Sequence, residues 1–347
     1  MRGLKSVHER SRSVVLGLVV VTIAAAIVAS SVTADAGIAF RETRPHASRA
    51  GHVNDIPAPT VGVLVAAGDI ACDPGSSMFG GGAGTATWCR AHDTSALIRA
   101  IDPDVVVPLG DEQYDDGRIA KFRRSYDLSW GTVRLRTRPV PGNHEYGVAE
   151  ARGYFRYFGD RAGVAGQGWY SYDLADWHLV ALNSNCGLVG CRAGSPQYRW
   201  LEADLLAHPA ACTLAYFHHP RFSSGPHGDD PEAAWTHDLW RLMYARGVDV
   251  ILNGHDHIYE RFAPMTPAGV VDRATGIREF VVGTGGAQHY WVDRVRWASQ
   301  VRNARTFGVL RLDLAADTYG WQFVPVAGSS FTDSGSARCH GEPTSPI

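Results

Sequence analysis

Five short apolar segments of the chain each run into residues that suit metal binding, and this repetition constrains the fold more than any other feature. An apolar run of this length predicts a buried strand, and α/β folds build their sites at the carboxyl ends of such strands. The runs are 63–67, 105–109, a short stretch through Val140, 213–217 and 248–252. They end, respectively, in Gly68-Asp69, Gly110-Asp111-Glu112-Gln113-Tyr114, Gly142-Asn143-His144-Glu145, His218-His219-Pro220 and Gly254-His255-Asp256-His257.

The donors at these endings are carboxylate and amide oxygens and imidazoles. Such ligands suit iron, zinc, manganese or magnesium rather than metals that prefer thiolate. A glycine before most of the donors predicts a tight turn that directs the side chain across the top of the sheet. Several endings that repeat one design over much of the chain indicate a two-metal site. Two metals roughly 3.5–4 Å apart stabilise both the attacking and the leaving oxygen in phosphoryl transfer.

Each ending has a plainer interpretation when it is taken alone. Gly-Asp after a strand is usually a turn, which is the favoured reading of Asp69 by itself. A tyrosine such as Tyr114 is more often a packed aromatic than a ligand. His227 lies in the polar stretch 223–230 and has almost equal claims to be a solvated loop histidine. The joint occurrence of the endings is what favours a metal site.

The order and spacing of the five endings resemble the metallophosphoesterase (calcineurin-like) superfamily and, within it, the purple acid phosphatases. The resemblance extends from Asp69 to Arg261, and the run GHDHIYER that begins at Gly254 is similar to the plant members. The first block departs from the pattern, because Ala71 stands where the purple subfamily has glycine and the wider superfamily has histidine. Tyr114 is the residue that replaces the missing ligand in the purple subfamily.

The resemblance implies a role for each donor. Four residues would bind one metal, with Asp111 bridging to a second metal that three further residues complete. His144 would contact the phosphate or act as an acid from outside the ligand set, and His227 would help to protonate the leaving group. The first set is Asp69, Asp111, Tyr114 and His257, and the second is completed by Asn143, His218 and His255.

A phenol has an ordinary pKa near 10 and binds as phenolate only to a strongly acidic cation. Tyr114 as a ligand therefore predicts Fe(III) in the first position, with a divalent ion (Fe, Zn or Mn) in the second. The expected function is a secreted phosphatase that hydrolyses phosphomonoesters through attack by metal-bound hydroxide. A phosphodiesterase or nucleotide pyrophosphatase remains an alternative, because the same centre serves those reactions. A non-catalytic extracellular binding protein is the alternative from another class, although all the ligand positions hold plausible donors.

The ends of the chain predict export. Residues 1–36 have a basic start, an apolar run at 14–29 and an alanine-rich cleavage site after Ala34 or Ala36, which is typical of a signal peptide. A retained membrane anchor is the alternative. Residues 37–59 are predicted to be a linker and 60–347 one catalytic domain. The balance of 33 basic and 35 acidic residues gives no nucleic-acid footprint. We therefore expect small phosphate esters as partners and no membrane contact after cleavage, with the oligomeric state left open.

The six cysteines of an exported chain indicate disulfides. Cys72 and Cys89 bracket a glycine-rich loop directly after the first ending. Cys186 and Cys191 are close enough in sequence to close a small loop, which leaves Cys212 and Cys339. The pairing stays open at this point, and a role for Cys72 as a metal ligand fits poorly with so many oxygen donors.

Helix signals alternate with the motif strands. A first helix is predicted to begin at Asp93 or Thr94 and to stop before Pro103, and a second to open at Ser195-Pro196. A third is predicted from Asp230-Pro231 to Gly247. Residues 168–183, 279–282 and 307–326 are predicted to be consecutive strands. This order predicts an α/β (α+β) fold, a four-layer αββα sandwich of two mixed sheets flanked by helices, which is also what the resemblance implies.

Overall fold

The structure, a computed structural model, describes residues 60–340. The predicted signal peptide, 1–36, and linker, 37–59, lie outside the described residues, as do 341–347, so the predicted division of the chain stays a prediction. Within 60–340, no helix is both long enough and apolar enough to cross a membrane.

Two mixed sheets form the centre of the described part. The first has the strand order β12-β11-β10-β1-β2, and the second has the order β3-β4-β5-β6-β8-β7-β9. The strands are β1 Gly62–Ala67, β2 Val105–Pro108, β3 Tyr170–Leu174, β4 Trp177–Ala181, β5 Cys212–Tyr216, β6 Val250–Asn253, β7 Tyr259–Phe262, β8 Arg278–Val282, β9 Ser299–Asn303, β10 Gly308–Leu314, β11 Thr318–Pro325 and β12 Ser334–Arg338. Only β1 and β2 are parallel in the first sheet, whereas β4, β5, β6 and β8 are parallel in the second.

Helices lie on both outer faces. Their bounds are α1 Ala91–Ile101, α2 Ile119–Arg124, α3 Arg152–Phe158, α4 Cys186–Val189, α5 Pro196–Ala207, α6 Pro231–Trp235 and α7 His237–Ala245. Short 3-10 turns lie at Gly80–Gly82, Tyr126–Leu128, Trp130–Arg136, Glu145–Gly147, Ala149–Ala151 and Gly159–Ala162.

The alternation of side chains along β5 shows how the layers form. Leu214 and Tyr216 belong to the apolar core between the two sheets, whereas Ala215 packs in a second core with Leu201 of α5 and Trp240 of α7. Successive side chains of a strand point to opposite faces, so a strand with helices on one side and a sheet on the other is apolar throughout. The predicted four-layer αββα sandwich is confirmed.

The predicted strands are formed with one exception, the stretch that ends at Val140. Its backbone N–H donates to the carbonyl of Pro108 at 3.2 Å, and the N–H of Arg138 donates to Val106 at 2.9 Å. Pro108 has no N–H with which to return a hydrogen bond, so a regular ladder does not develop. Only a single bridge, between Val106 and Thr137, remains.

Two of the predicted helix boundaries need correction. α1 begins at Ala91 rather than after Asp93 or Thr94, because Asp93 instead binds the Arg90 side chain at 2.6 Å. The helix predicted from Asp230 to Gly247 is broken at Thr236 into α6 and α7. α5 begins as predicted, and the Ser195 hydroxyl accepts the Tyr198 N–H at 3.3 Å.

The cysteines form three disulfides, which confirms the predicted bonds and fixes their pairing. They join Cys72 to Cys89, Cys186 to Cys191 and Cys212 to Cys339. The third joins β5 of the second sheet to the residue that follows β12 of the first. The first anchors the loop that follows Asp69.

Candidate metal centre

The two sheets meet at the edge where β1, β2, β5 and β6 end, and the segments that follow these strands are joined by backbone hydrogen bonds. The Asp69 N–H donates to Gly110 at 3.0 Å, and the Gly254 N–H donates to His218 at 3.0 Å. Gly68 receives the N–H of Gly285 at 2.9 Å from the loop after β8. The motif endings, which are far apart in sequence, therefore form one continuous surface, the floor of the candidate site.

The glycines of the motifs are required mainly by crowding on this floor. A Cβ on Gly254 would lie 2.8 Å from Asp69 Oδ2, one on Gly110 would lie 2.5 Å from His218 Nδ1, and one on Gly142 would overlap the Asp111 carboxylate. Each contact is tighter than a real side chain allows. The expectation that these glycines provide the turn is correct only in part.

The turn itself is made by the donor residues. Asp69, Asp111 and His255 have positive φ angles of 62°, 48° and 71°, whereas among the preceding glycines only Gly110, with φ 86°, is in the left-handed region. Such a conformation is disfavoured for residues with a Cβ and is concentrated at functional sites. The backbone therefore holds three of the predicted ligands in unusual conformations.

The first predicted ligand set is assembled around the Tyr114 hydroxyl. This oxygen lies 2.9 Å from Asp69 Oδ1, 3.1 Å from Asp111 Oδ2 and 2.9 Å from His257 Nε2. The Nδ1 of His257 lies 2.6 Å from the Gln288 carbonyl, to which it donates. In the neutral ring, Nε2 then presents a lone pair to the centre, as a metal-binding histidine does.

The second predicted set is assembled around His218. Its Nε2 lies 3.1 Å from Asn143 Oδ1, 3.2 Å from His255 Nδ1 and 3.4 Å from Asp111 Oδ2. Its Nδ1 donates to the Leu109 carbonyl at 2.8 Å. Asp111 thus touches both sets with the same carboxylate oxygen, which is the position of the expected bridge.

Burial and charge act in opposite directions at this centre. Burial opposes ionisation of Asp111, yet the neighbouring His218 and His144 bring the pKa of its carboxyl below the ordinary value. For His218, burial is outweighed by the Asp111 charge, which raises the pKa of the imidazole to about 9. Burial and the charges of Asp111 and Asp69 raise the pKa of the Tyr114 phenol well above its ordinary range.

These properties fit a pair of metal ions. Asp69, Asp111 and His218 offer donor atoms that all lie within 4.8 Å of one another, and all three residues are buried. Buried carboxylates are costly unless cations or hydrogen bonds compensate them. Hard oxygen donors and imidazoles with fixed tautomers are the donor set that iron, zinc and manganese prefer.

The two candidate catalytic histidines lie beside different ligand residues, His144 beside Asp111 and His227 beside His255. His144 Nδ1 donates to the Asp115 carbonyl at 2.6 Å, and its Nε2 lies 3.8 Å from Asp111 Oδ2. His227 Nδ1 lies 2.6 Å from Asp230 Oδ2, and its ring centre is 4.6 Å from that of His255. Both side chains are about one third exposed, so both can meet a ligand from solvent.

Two residues near the centre were not predicted. The Glu145 carboxylate accepts the N–H groups of Gly142, Asp111 and Gln113 at 2.8, 2.9 and 3.2 Å, and so fixes two motif loops together. Burial and the Asp111 charge raise the pKa of this carboxyl to about 7. The position of Glu145 directly after His144 in the sequence was the signal that could have identified this residue. Tyr290, which stacks on His257 with ring centres 3.9 Å apart, lies in a segment without a motif.

A cleft opens beside the first ligand set. It has a volume of about 640 Å³ and is bordered by Tyr114, His144 and Tyr290. Cys72 and Trp88, from the loop that the first disulfide closes, also line it. A small molecule in this cleft lies against the candidate centre.

Residues 49–259 match the model of the calcineurin-like phosphoesterase family. The chain belongs to this family, and the relatives it matches include acid phosphatases and purple acid phosphatases. It is 29% identical to human acid phosphatase type 7 over an alignment of 189 residues, which covers 47% of this chain and 41% of that protein. It is 25% identical to the probable purple acid phosphatase 20 of Arabidopsis thaliana over an alignment of 200 residues, which covers 53% of this chain and 45% of the relative. The matched regions thus span about half the length of these curated relatives.

Solved structures share the fold at low sequence identity. Purple acid phosphatase PPD1 from yellow lupin seeds aligns with a TM-score of 0.67 and 18% identity, over 84% of this chain and 57% of that one. GAP50, described as the anchor in the inner membrane complex of Plasmodium, aligns with a TM-score of 0.58 and 12% identity, over 82% of this chain and 90% of that one. The fold thus occurs in proteins with different descriptions, and the side chains at the centre must carry the argument for function.

Proposed function

We propose that the chain is a metal-dependent phosphatase that hydrolyses phosphomonoesters outside the cytoplasm. The observation that carries the proposal is the arrangement of the predicted ligands in two sets that share the Asp111 carboxylate. Family membership and the acid phosphatase relatives support the same reaction class. Three disulfides, together with the predicted signal peptide, support a location in an oxidising compartment.

The two metal positions are proposed to differ. The first would be held by Asp69, Tyr114 and His257, the second by Asn143, His218 and His255, and Asp111 would bridge them. The Tyr114 phenol holds its proton tightly in this setting, so only a strongly acidic cation such as Fe(III) would offset the cost of its ionisation. The second position would take divalent Fe, Zn or Mn. When bound, such a pair lowers the pKa of a water nucleophile and draws charge from the phosphate oxygens.

The histidines supply the remaining functions. His144 reaches the cleft from the Asp111 side, where it can donate to a phosphate oxygen or to the departing alkoxide. His227 is oriented by Asp230 and by its own N–H, which donates to Asp256 Oδ1 at 3.2 Å. It reaches the same phosphate from the His255 side. An acid on each side provides for transfer of a proton to the leaving group.

Two alternatives remain in view. A phosphodiesterase or nucleotide pyrophosphatase would use the same ligands and differ in the loops around them. A non-catalytic binding protein would share the fold without needing the ligands, whereas here the buried carboxylates and imidazoles are in place. The intact donor set therefore favours an enzyme.

The direct test is to purify the protein, measure its bound metals and compare 4-nitrophenyl phosphate with its bis ester as substrates. We expect iron with a second metal and a clear preference for the monoester. A preference for the bis ester would support the diesterase. A protein that binds no metal and hydrolyses neither ester would support the binding protein and overturn the proposal.

A further inference from the structure

The residues that line the cleft beside Tyr114 and His144 indicate which kind of alcohol the substrate carries. We propose that this cleft binds the leaving alcohol and selects phosphomonoesters of aromatic alcohols that carry no negative charge. The inference rests on the proposed function and goes beyond it, because neither the ligand sets nor the family determines the alcohol. It depends on the position of the cleft, its aromatic walls and its charge.

The position of the cleft places the alcohol next to an acid. Tyr114 of the first ligand set and His144 both line it, and their rings are in contact, with centres 4.3 Å apart. A phosphate held at the candidate centre therefore directs one ester oxygen towards the cleft. His144 lies where that oxygen leaves, as a group that protonates an alkoxide must.

Two aromatic side chains form walls of the cleft. Tyr290 is held by parallel stacking on His257. Trp88 is 39% exposed, and its backbone is anchored, because Cys89 is bonded to Cys72 and the Trp88 backbone N–H donates to Thr85 Oγ1 at 3.1 Å. Large exposed apolar surface held in a pocket indicates a binding role, and aromatic rings favour stacked or edge contacts with another ring.

The charge of the walls disfavours an anionic alcohol. Among residues 60–340, no lysine or arginine lines the cleft, whereas Asp73 and Asp115 do. Lys121, which contacts Asp73, is already paired with that residue and with Asp116, the latter at 3.2 Å. The exposed Asp115 carboxylate has no ion-pair partner in the described part of the chain.

This charge pattern distinguishes between substrate classes. Alcohols that carry further phosphates, such as nucleotides and polyphosphates, are normally held by arginine and lysine clamps. They would here face a carboxylate without a compensating cation. A phenol with a neutral or cationic substituent meets two aromatic walls and an acidic rim instead.

The test compares three substrates of similar phenol acidity, namely 4-ethylphenyl phosphate, 4-(2-aminoethyl)phenyl phosphate and 4-(carboxymethyl)phenyl phosphate. Methyl phosphate and ADP serve as non-aromatic and polyanionic references. We expect kcat/KM to be lowest for ADP, and at least severalfold lower for the carboxymethyl ester than for the other two aryl esters. Equal values for the three aryl esters, or a preference for ADP, would overturn the inference while leaving the phosphatase proposal intact.

Variants assign the effect to the cleft. Trp88→Ala should lower kcat/KM for the aryl esters by roughly three- to tenfold, the range for one lost aromatic contact, and should affect methyl phosphate much less. Trp88→Phe should restore most of the loss. Trp235→Ala, which removes an exposed tryptophan that does not line the cleft, is the matched control. An equal loss for methyl phosphate and the aryl esters would contradict the inference.

A charge variant provides an independent measurement. Ser77 is exposed on the wall of the cleft and lies outside the ligand sets. Ser77→Lys should raise kcat/KM for the carboxymethyl ester relative to the ethyl ester, while inhibition by inorganic phosphate stays within about twofold. An unchanged ratio contradicts the inference. Failure of every phosphomonoester with a metal-loaded protein would instead remove the proposed function, and the inference with it.

Discussion

Asp111 is the residue through which the two candidate ligand sets are connected. Its Oδ2 faces both Tyr114 and His218, and its Oδ1 accepts the His144 N–H at 2.9 Å. The sequence predicted this residue because it directly follows a buried strand and a glycine. Its crowding against Gly142 and its three-way contact depend on segments that are distant in sequence, which no local pattern predicts.

Asp111→Ala is expected to remove both metals and the activity. Two cations at close range repel each other, and the shared carboxylate offsets that repulsion. The loss should exceed the roughly 10–100-fold effect of removing a group outside the ligand set. Metal analysis and kcat/KM measure it, and Asp313→Ala on the exposed side of β10 is the control. Near-normal metal content and turnover in Asp111→Ala would rule out the bridge.

Tyr114→Phe tests the identity of the first metal. A phenolate bound to ferric iron would give the oxidised protein a visible absorption band, as the resemblance to purple acid phosphatases implies. The substitution keeps the ring and its contact with His144, so the fold should be retained. We expect the band to disappear and the iron content to fall.

Tyr290→Phe is the matched control for the visible spectrum. Its ring stacks on His257, but its hydroxyl is not in the ligand set, so the band should remain. A wild type that is colourless, contains only zinc or manganese and is fully active would contradict the ferric assignment. The broader phosphatase proposal would then still stand.

Single elements were predictable where a local signal was sufficient. α5 begins at Ser195-Pro196 as predicted because capping is a short-range interaction. The break between α6 and α7 at Thr236 has no such signal, since Thr236 is fully buried and its hydroxyl bonds the Ala233 carbonyl at 3.0 Å. Tertiary packing decides that boundary.

A buried ionic contact joins β4 to the helix α5 that packs near it. His178 on β4 lies 3.0 Å from Asp204 of α5 through Nε2 and 2.9 Å from Asp173 of β3 through Nδ1. Burial opposes protonation, but these two carboxylates raise the pKa of the imidazole. Burial is likewise outweighed for Asp204, where His178 and Ser171 lower the pKa of the carboxyl. Both ring nitrogens therefore face carboxylate oxygens, an arrangement that favours the imidazolium form.

This contact predicts a pH-dependent stability. A raised histidine pKa contributes stability that is complete below the ordinary value of 6.5 and is lost as the pH rises through the folded-state value. The lowered Asp204 pKa contributes stability above 3.8 that is lost as the pH falls through the folded-state value. Both contributions are complete between pH 3.8 and pH 6.5, so His178→Gln should lower the free energy of unfolding most in this range.

Denaturant unfolding of wild type and His178→Gln at about pH 5.5 and about pH 9 measures the effect. We expect the difference in the free energy of unfolding to shrink at the higher pH. His237→Gln, on the partly exposed face of α7, is the control and should change stability little at either pH. A difference that stays constant between the two pH values would show that His178 contributes only packing.

At the scale of the whole molecule, the alternation of apolar strands and helices predicted the two-sheet sandwich, since strands such as β1, β5 and β6 are buried along nearly their whole length. The strand order of the first sheet could not be read from the sequence. β1, which pairs with β2 on one side, pairs on the other side with β10 from the far end of the described chain, and such long-range pairing leaves no local pattern. The cysteines gave one indication of a long-range contact, because Cys212 and Cys339 were the two left over once the other four had been paired.

The Cys212–Cys339 disulfide is expected to contribute more to global stability than the Cys186–Cys191 disulfide. It links the two sheets and closes a loop of 127 residues, whereas the other closes a loop of 5. Chain-entropy estimates are about 5 kcal/mol for the longer loop and about 2 kcal/mol for the shorter one. Replacement of each pair by serine, followed by denaturant unfolding, compares them. We expect the larger loss for Cys212→Ser/Cys339→Ser, and an equal or reversed order would show that native-state packing, not restriction of the unfolded chain, sets their contributions.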